Sequence, residues 1–397
     1  MDQKYQPTVY ACFVGYIVQA IVNNFVPLLF LTFHSSYNIP LIQITFLVTL
    51  NFGIQLLVDL ASVAFVDRIG YRLSLMIAHG CAAAGLALLA FLPDWLPDPY
   101  VGILICVVLY AVGGGLLEVL VSPVMESCPT PNKEAAMSLL HSFYCWGHVG
   151  VVLISTAFFA LFGISHWRVM ACIWAIVPLV NLFVFSRVPI ASLIKEGQTG
   201  MSLAELLKNR LFWILMLLMI CAGACEQAVS QWASTFAEQG LGVSKTLGDL
   251  AGPMLFAILM GTSRAIYGKL GDRLPLEKCI LGCAVLCLVS YLVISLCPIP
   301  AISLLGCGIC GFSVGIFWPG VFSMATAALP MGGTAMFALL ALGGDVGCSG
   351  GPTYVGAVSS ALGGDLKRGI LLAVVFPVLM LAGLLLKKQQ GRAASAR

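Results

Sequence analysis

Charge is what this sequence has least of. Only 9% of its 397 residues are Asp, Glu, Lys or Arg, against 60% hydrophobic residues, too little charge to cover a water-soluble globule. A mean hydropathy of +1.00 puts the chain in a membrane. The net charge of +3 is scattered between hydrophobic runs, and the lack of a basic patch or acidic tail excludes nucleic acid as a partner. Metal-ligand sets are missing too. The fifteen cysteines lie mostly inside apolar runs, with Cys279, Cys283 and Cys287 recurring every fourth residue as small packing residues, and Cys221/Cys225 and Cys307/Cys310 have no His or further Cys at a useful spacing. Neither a disulfide framework nor a metal or other cofactor follows. There is no A-x-A cleavage site after the first apolar run, which continues to about Thr32, so that run is expected to stay as a helix. No kinase, phosphate-loop or other output module is present to receive a signal, which argues against a sensor.

What is present is a succession of apolar runs of bilayer-crossing length. Twelve spans are expected, at 8–33, 40–66, 73–92, 99–127, 133–162 and 167–186, then 209–237, 245–269, 277–297, 300–328, 332–361 and 366–386. The chain therefore divides into a six-helix bundle at 1–186, a linker at 187–208 and a second six-helix bundle with a basic tail at 209–397. Within the linker, Ser202-Leu-Ala-Glu205 is a capping-box pattern that should start a short amphipathic helix. With both termini inside, fifteen of the 20 Lys and Arg fall on the cytoplasmic side and four outside, while Arg264 lies within a span. That bias gives a multi-pass protein of a cell (plasma or inner) membrane with cytoplasmic termini.

One carboxylate stands inside the run Gly113-Gly-Gly-Leu-Leu-Glu118-Val-Leu-Val-Ser122-Pro123. An ionisable group at mid-bilayer costs about 2.5–3.5 kcal/mol on insertion scales, so Glu118 is a functional-site candidate by default. The glycines admit a close neighbour and Pro123 frees backbone carbonyls, which suits an interior helix beside a wet cavity. Other polar side chains gather on particular spans. Gln19, Asn23 and Asn24 share the first; His141, Tyr144, Cys145 and His148 form an i, i+3, i+4, i+7 set on the fifth; and Glu226, Gln227, Ser230, Gln231 and Trp232 crowd the seventh. Amides and carboxylates pair with hydroxyls, and indoles cover the C–H face of a sugar ring, so the set suits a neutral polyhydroxylated solute. An anion would want a cation at the centre, whereas Arg264 lies toward one end of its span. Lipophilic cations would suit Glu118 and Glu226, which keeps a multidrug or metabolite exporter as the alternative.

The two halves repeat. Asp67-Arg68 overlays Asp272-Arg273, each following the second span of its half. The second copy, Gly268-Lys-Leu-Gly271-Asp272-Arg273, resembles the G-x-L-x-D-R-x-G-x-R signature of the major facilitator superfamily. The first keeps Asp67, Arg68, Gly70 and Arg72 but lacks the leading glycine. Such a loop sets a carboxylate near the positive N-terminus of a neighbouring helix, where it can act as a gate latch. In the same overlay Asp59 corresponds to Arg264, so a gate pair of Arg264 with Asp59, or with Asp345 in the eleventh span, is expected.

Several stretches together are similar to the fucose-permease-like sugar symporters of that superfamily. They are Asn23-Asn24-Phe-Val-Pro27-Leu, Gly113-x-Gly115-x-x-Glu118 with Ser122-Pro123, His141-Ser-Phe-x-x-x-Gly147, Gly223-Ala-Cys-Glu226, and Gly311-Phe-Ser-x-x-Ile316-x-Trp318-Pro319-x-x-Phe322-Ser323. The resemblance implies an all-α membrane fold of two pseudo-symmetric six-helix bundles, a monomer, and monosaccharide uptake by alternating access. It also implies that Glu118 is the fourth-helix acid of proton coupling and substrate binding, and it adds Trp318 to the substrate-binding set. One departure bears on coupling: the first-helix acid that follows the paired Asn in fucose carriers is replaced by Phe25-Val26-Pro27. Glu118 alone, Glu226, His141 or an oxygen-bound sodium ion are the candidates in its place, and uncoupled facilitation stays open.

Overall fold

A computed structural model describes residues 3–191, 200–233 and 245–395. Every regular element among them is helical, and helices stand at all twelve expected positions. They are Gln6–Asn24 (α1), Leu41–Ile69 (α2), Tyr71–Leu89 (α3), Pro99–Ser127 (α4), Lys133–Phe162 (α5), Trp167–Arg187 (α6), Arg210–Ser230 (α7), Lys245–Leu270 (α8), Leu276–Leu296 (α9), the interrupted pair Pro300–Val314 (α10a) and Phe317–Ala328 (α10b), Gly333–Ala361 (α11), and Leu366–Leu372 (α12a) with Val375–Ser395 (α12b). The chain is an all-helical membrane protein.

Ten helical stretches among the described residues are long and apolar enough to cross a membrane on that basis alone. The two expected spans outside that set are α8 and α11. Sequence explains both: α8 carries Arg264 and Lys269, and α11 carries Asp345 and seven glycines between Gly333 and Gly356. Their hydropathy is lowered by residues that serve packing and polar contacts. Large apolar side chains elsewhere point outward, as with Leu57 at 67% and Leu161 at 78% exposure. In water such a surface would aggregate; in hydrocarbon it is the solvated face.

The helices gather into two compact units: Met1–Pro131 with Phe143–Gln198, and Asn132–Ser142 with Thr199–Arg397. The first turns of α5 belong to the second unit because small residues let them close on α8: a Cβ on Gly268 would lie 2.9 Å from that of Leu139, and one on Gly271 2.9 Å from that of Ala135. Ser138 Oγ also donates to the carbonyl of Arg264, at 2.8 Å. Residues 192–199 of the expected linker lie outside the described residues, as do 234–237 of the seventh expected span. Beyond it, Ser202 caps the short helix Leu203–Lys208, with a reciprocal bond from its own N–H to Glu205. Those bonds, the backbone one first, hold the Glu205 carboxyl below its ordinary range.

In the first unit α4 packs against α1, α2 and α3. Consecutive residues of a helix point about 100° apart, so the three glycines of α4 open three faces. A Cβ on Gly113 would meet the carbonyl of Ala78 on α3 at 2.6 Å, one on Gly114 would meet Val22 on α1 at 3.0 Å, and one on Gly115 would meet Val58 on α2 at 3.0 Å. This is what seats Glu118 among three helices.

In the second unit α7 and α11 make the most intimate contact, backbone to backbone, with Gly347 against the carbonyl of Ile220 and Gly351 2.6 Å (as Cβ) from that of Ala224. Gly347→Leu is expected to cost about 3 kcal/mol or more and to lower the melting point in detergent. Gly350→Ala, which opens onto space, should leave it unchanged. Equal melting of the two variants would refute the close-packed seam.

Candidate functional site

Gln19 and Asn23, four residues apart, share one face of α1. Across from them Glu118 Oε2 accepts from Gln19 Nε2 at 2.8 Å, a contact that the Gly114–Val22 approach permits. Asn23 is the hub of the polar group: its Oδ1 accepts from Gln55 Nε2 at 2.8 Å and from Asn51 Nδ2 at 3.2 Å, and its Nδ2 reaches the Tyr144 hydroxyl at 3.5 Å. Asn24 turns its amide N–H back to the carbonyl of Ala20, at 2.8 Å, at the end of its own helix. Deeper in α1, Tyr16 and Ser122 share a hydrogen bond of 2.8 Å beside Pro123.

Asn51 and Gln55 escaped the sequence reading. With Asp59 they form an i, i+4, i+8 stripe on α2, exposed by only 6%, 1% and 0%. That spacing is the signal that could have found them, because polar residues recurring every fourth position in an apolar helix share one buried face.

In the second unit Arg264 pairs with Glu226, Nη2 to Oε2 at 3.5 Å, with only 4% and 12% of their side chains exposed. The guanidinium also donates from Nε to the carbonyl of Gly315 at 2.7 Å, and from Nη1 to that of His141 at 3.1 Å. Gly315 lies where α10a stops and α10b begins, so its carbonyl is of the kind left without an intrahelical donor. Arg264 closes the interruption. Glu226 is thus a partner of Arg264 that the overlay with Asp59 and Asp345 did not suggest.

Gln227 Nε2 reaches Glu226 Oε1 at 3.3 Å, Gln231 Nε2 reaches Gln227 Oε1 at 3.1 Å, and Trp232 Nε1 reaches the carbonyl of Pro352 at 3.3 Å. Trp318 lies on the bare backbone of Gly344 and meets Phe322 edge-on, centroids 6.4 Å apart. Phe322 also lies 5.9 Å from the His141 ring. His141 and Tyr144, although on one face of α5, fall in different units.

Among the expected gate residues, Asp272 Oδ1 accepts from Asn132 Nδ2 at 2.7 Å, and Asn132 Oδ1 takes the N–H of Ala135 at 2.9 Å, in the first turn of α5. Tyr267 OH adds a bond to Glu134, at 3.1 Å. Arg72 donates to the carbonyls of Phe185, Ser186 and Val188 at 2.8–2.9 Å, where a cation meets the negative end of α6. Arg68 and Arg273 are exposed, while Asp59 is buried on α2 and Asp345 half-buried on α11; the side chain of Asp67 lies outside the described residues.

The profile of the Major Facilitator Superfamily matches residues 11–352. The backbone superposes on the E. coli fucose:proton symporter FucP with a TM-score of 0.80 at 15% identity, over 97% of this chain and 99% of that one. It superposes on the proton:xylose symporter XylE bound to 6-bromo-6-deoxy-D-glucose with a TM-score of 0.75 at 15% identity, over 96% and 94%. For the human organic anion transporter MFSD10 (TETRAN) the TM-score is 0.72 at 15% identity, over 97% and 100%. No curated protein sequence matches the chain. At this identity the structural likeness carries the fold.

Proposed function

We propose that this chain, which belongs to the major facilitator superfamily, takes up a neutral polyhydroxylated solute, a monosaccharide, with a proton or sodium ion by alternating access. Members of the superfamily are secondary transporters, so the chain is a multi-pass transporter of small molecules and not an enzyme. The observation that carries the substrate reading is the donor set around Glu118. Gln19, Asn23 and Tyr144 are neutral groups able to pair hydroxyls, and Glu118 supplies an acceptor and a titratable site. Gln227, Gln231, Trp232 and Trp318 offer amides and indole faces of the same character in the second unit.

A transporter of organic anions needs a cation to offer. Arg264 is engaged by Glu226 and two backbone carbonyls, which disfavours that reading. An exporter of lipophilic cations would use its acids to hold the cation, and Glu226 is already matched by Arg264. The charge bias of the loops supports cytoplasmic termini in a cell membrane, and the protein is expected to act as a monomer in contact with lipid.

The test is the melting point of the detergent-purified protein against monosaccharides, disaccharides, nucleosides and lipophilic cations, each with and without sodium. A ligand that binds only the folded state at a hundredfold excess over its Kd stabilises it by about 2.7 kcal/mol. A monosaccharide response is expected, and its growth with sodium would assign the coupling ion. Stabilisation by cations alone would replace the sugar reading with the exporter.

A further inference from the structure

We infer that Asn51 and Gln55 are positioning residues that fix which end of the Asn23 amide faces the ligand, so that the first unit offers an N–H at Asn23 and an oxygen at Glu118. The inference rests on the sugar reading and sharpens it: the solute must present an acceptor to Asn23 and a donor to Glu118. Adjacent hydroxyls do both, whereas an ammonium at the Asn23 position does not.

An amide oxygen has two lone pairs, and both of those on Asn23 are used, by Gln55 at 2.8 Å and Asn51 at 3.2 Å. Both donors are buried on successive turns of α2. The helix bearing them is held close to α4 at this level: a Cβ on Gly115 would lie 3.1 Å from the Cα of Gln55, and one on Gly114 3.3 Å from its Nε2. With its oxygen turned to α2, Asn23 directs its NH2 away from that helix. There it has the Tyr144 hydroxyl at 3.5 Å, the limit of a hydrogen bond and weak enough for a ligand to replace.

One turn earlier, Gln19 gives an N–H to Glu118. Gln19 Oε1 and Asn51 Oδ1 are buried acceptors without a hydrogen-bond partner among the described residues. Each such acceptor left unmet costs about 1–3 kcal/mol, so the group as a whole favours a ligand rich in O–H donors. Amide oxygen and nitrogen are close in size, so the polarity of Asn23 is a chemical property that a charge-preserving exchange alone would not reveal.

The experiment measures affinity from melting-point shifts for the full-length protein in detergent with D-glucose, D-xylose and L-fucose, and with their monodeoxy and monofluoro analogues. Fluorine accepts weakly and cannot donate. At the hydroxyl that meets Asn23, the wild type should bind the deoxy analogue about tenfold more weakly than the parent and the fluoro analogue within about threefold of it. In Gln55→Glu the new carboxylate draws the N–H of Asn23 and turns its oxygen to the ligand. The fluoro analogue should then fall about tenfold below the parent. A loss by one common factor for all ligands would mean a merely structural role and overturn the inference.

A second arm needs no ligand. Asn23→Asp keeps both bonds from α2, so it should melt well above the double variant with Gln55→Glu, which sets two carboxyls face to face. Equal losses in the two backgrounds would overturn the orientation. If no monosaccharide shifts the wild type, the sugar reading fails, and this second arm still decides the orientation by itself.

Discussion

Glu118→Gln is expected to abolish ion-driven accumulation of solute while leaving exchange of solute across the membrane. The substitution is nearly isosteric, and a glutamine oxygen at this position can still accept from Gln19, whose N–H lies 2.8 Å from Glu118 Oε2. Geometry is kept and titration is lost. Moving one elementary charge across 100 mV is worth about 2.3 kcal/mol, or about a 50-fold concentration ratio. That factor should vanish from uptake driven by an imposed potential in proteoliposomes, and counterflow of preloaded solute should persist within about tenfold of the wild type. Unchanged accumulation would remove Glu118 as the coupling residue and pass the role to Glu226, His141 or a sodium ion.

Arg264→Met should strongly destabilise the second unit. It leaves Glu226 without its guanidinium at 12% exposure and strips the Gly315 and His141 carbonyls of their donors. Breaking a buried ion pair from one side costs about 3–5 kcal/mol, whereas replacing both partners with neutral groups is far less costly. The double variant Arg264→Met with Glu226→Gln should therefore melt above the single Arg264→Met. Full recovery is not expected, because methionine cannot donate to the two carbonyls. Glu226→Gln alone should be the mildest of the three, since its amide oxygen still accepts from Arg264. A double variant no more stable than Arg264→Met would show that the pair is not what holds this cluster.

The fold was legible because bilayer chemistry writes it in run length: α4, 29 residues long with Glu118 its one acid before the last turn, admits no other reading in lipid. Legibility held even for α8 and α11, whose hydropathy is diluted, because their apolar runs are still long enough to cross a bilayer. Contacts between helices were less legible. Sequence separates Gln19 from Glu118 by 99 positions, and periodicity says only that each faces inward. The overlay matched Arg264 to Asp59 by depth alone, and depth along a helix does not reveal a partner such as Glu226, which lies within reach of the same side chain. Asn51 and Gln55 were readable in principle from their spacing with Asp59. The assignment of the first turns of α5 was not readable, since it depends on Gly268 and Gly271 removing two side chains from a seam.

The Gly315 carbonyl at the interruption in α10 is met by a cation that cannot leave, tethered to α8 and matched by an acid of its own. Mobile ions screen charges that water reaches, over about 8 Å at physiological ionic strength, and screen buried pairs much less. The Arg264–Glu226 pair is therefore far less sensitive to bulk electrolyte than an exposed one. Non-specific salt effects fall instead on pairs such as Arg168 with Asp94, 2.8 Å apart and 41% and 45% exposed.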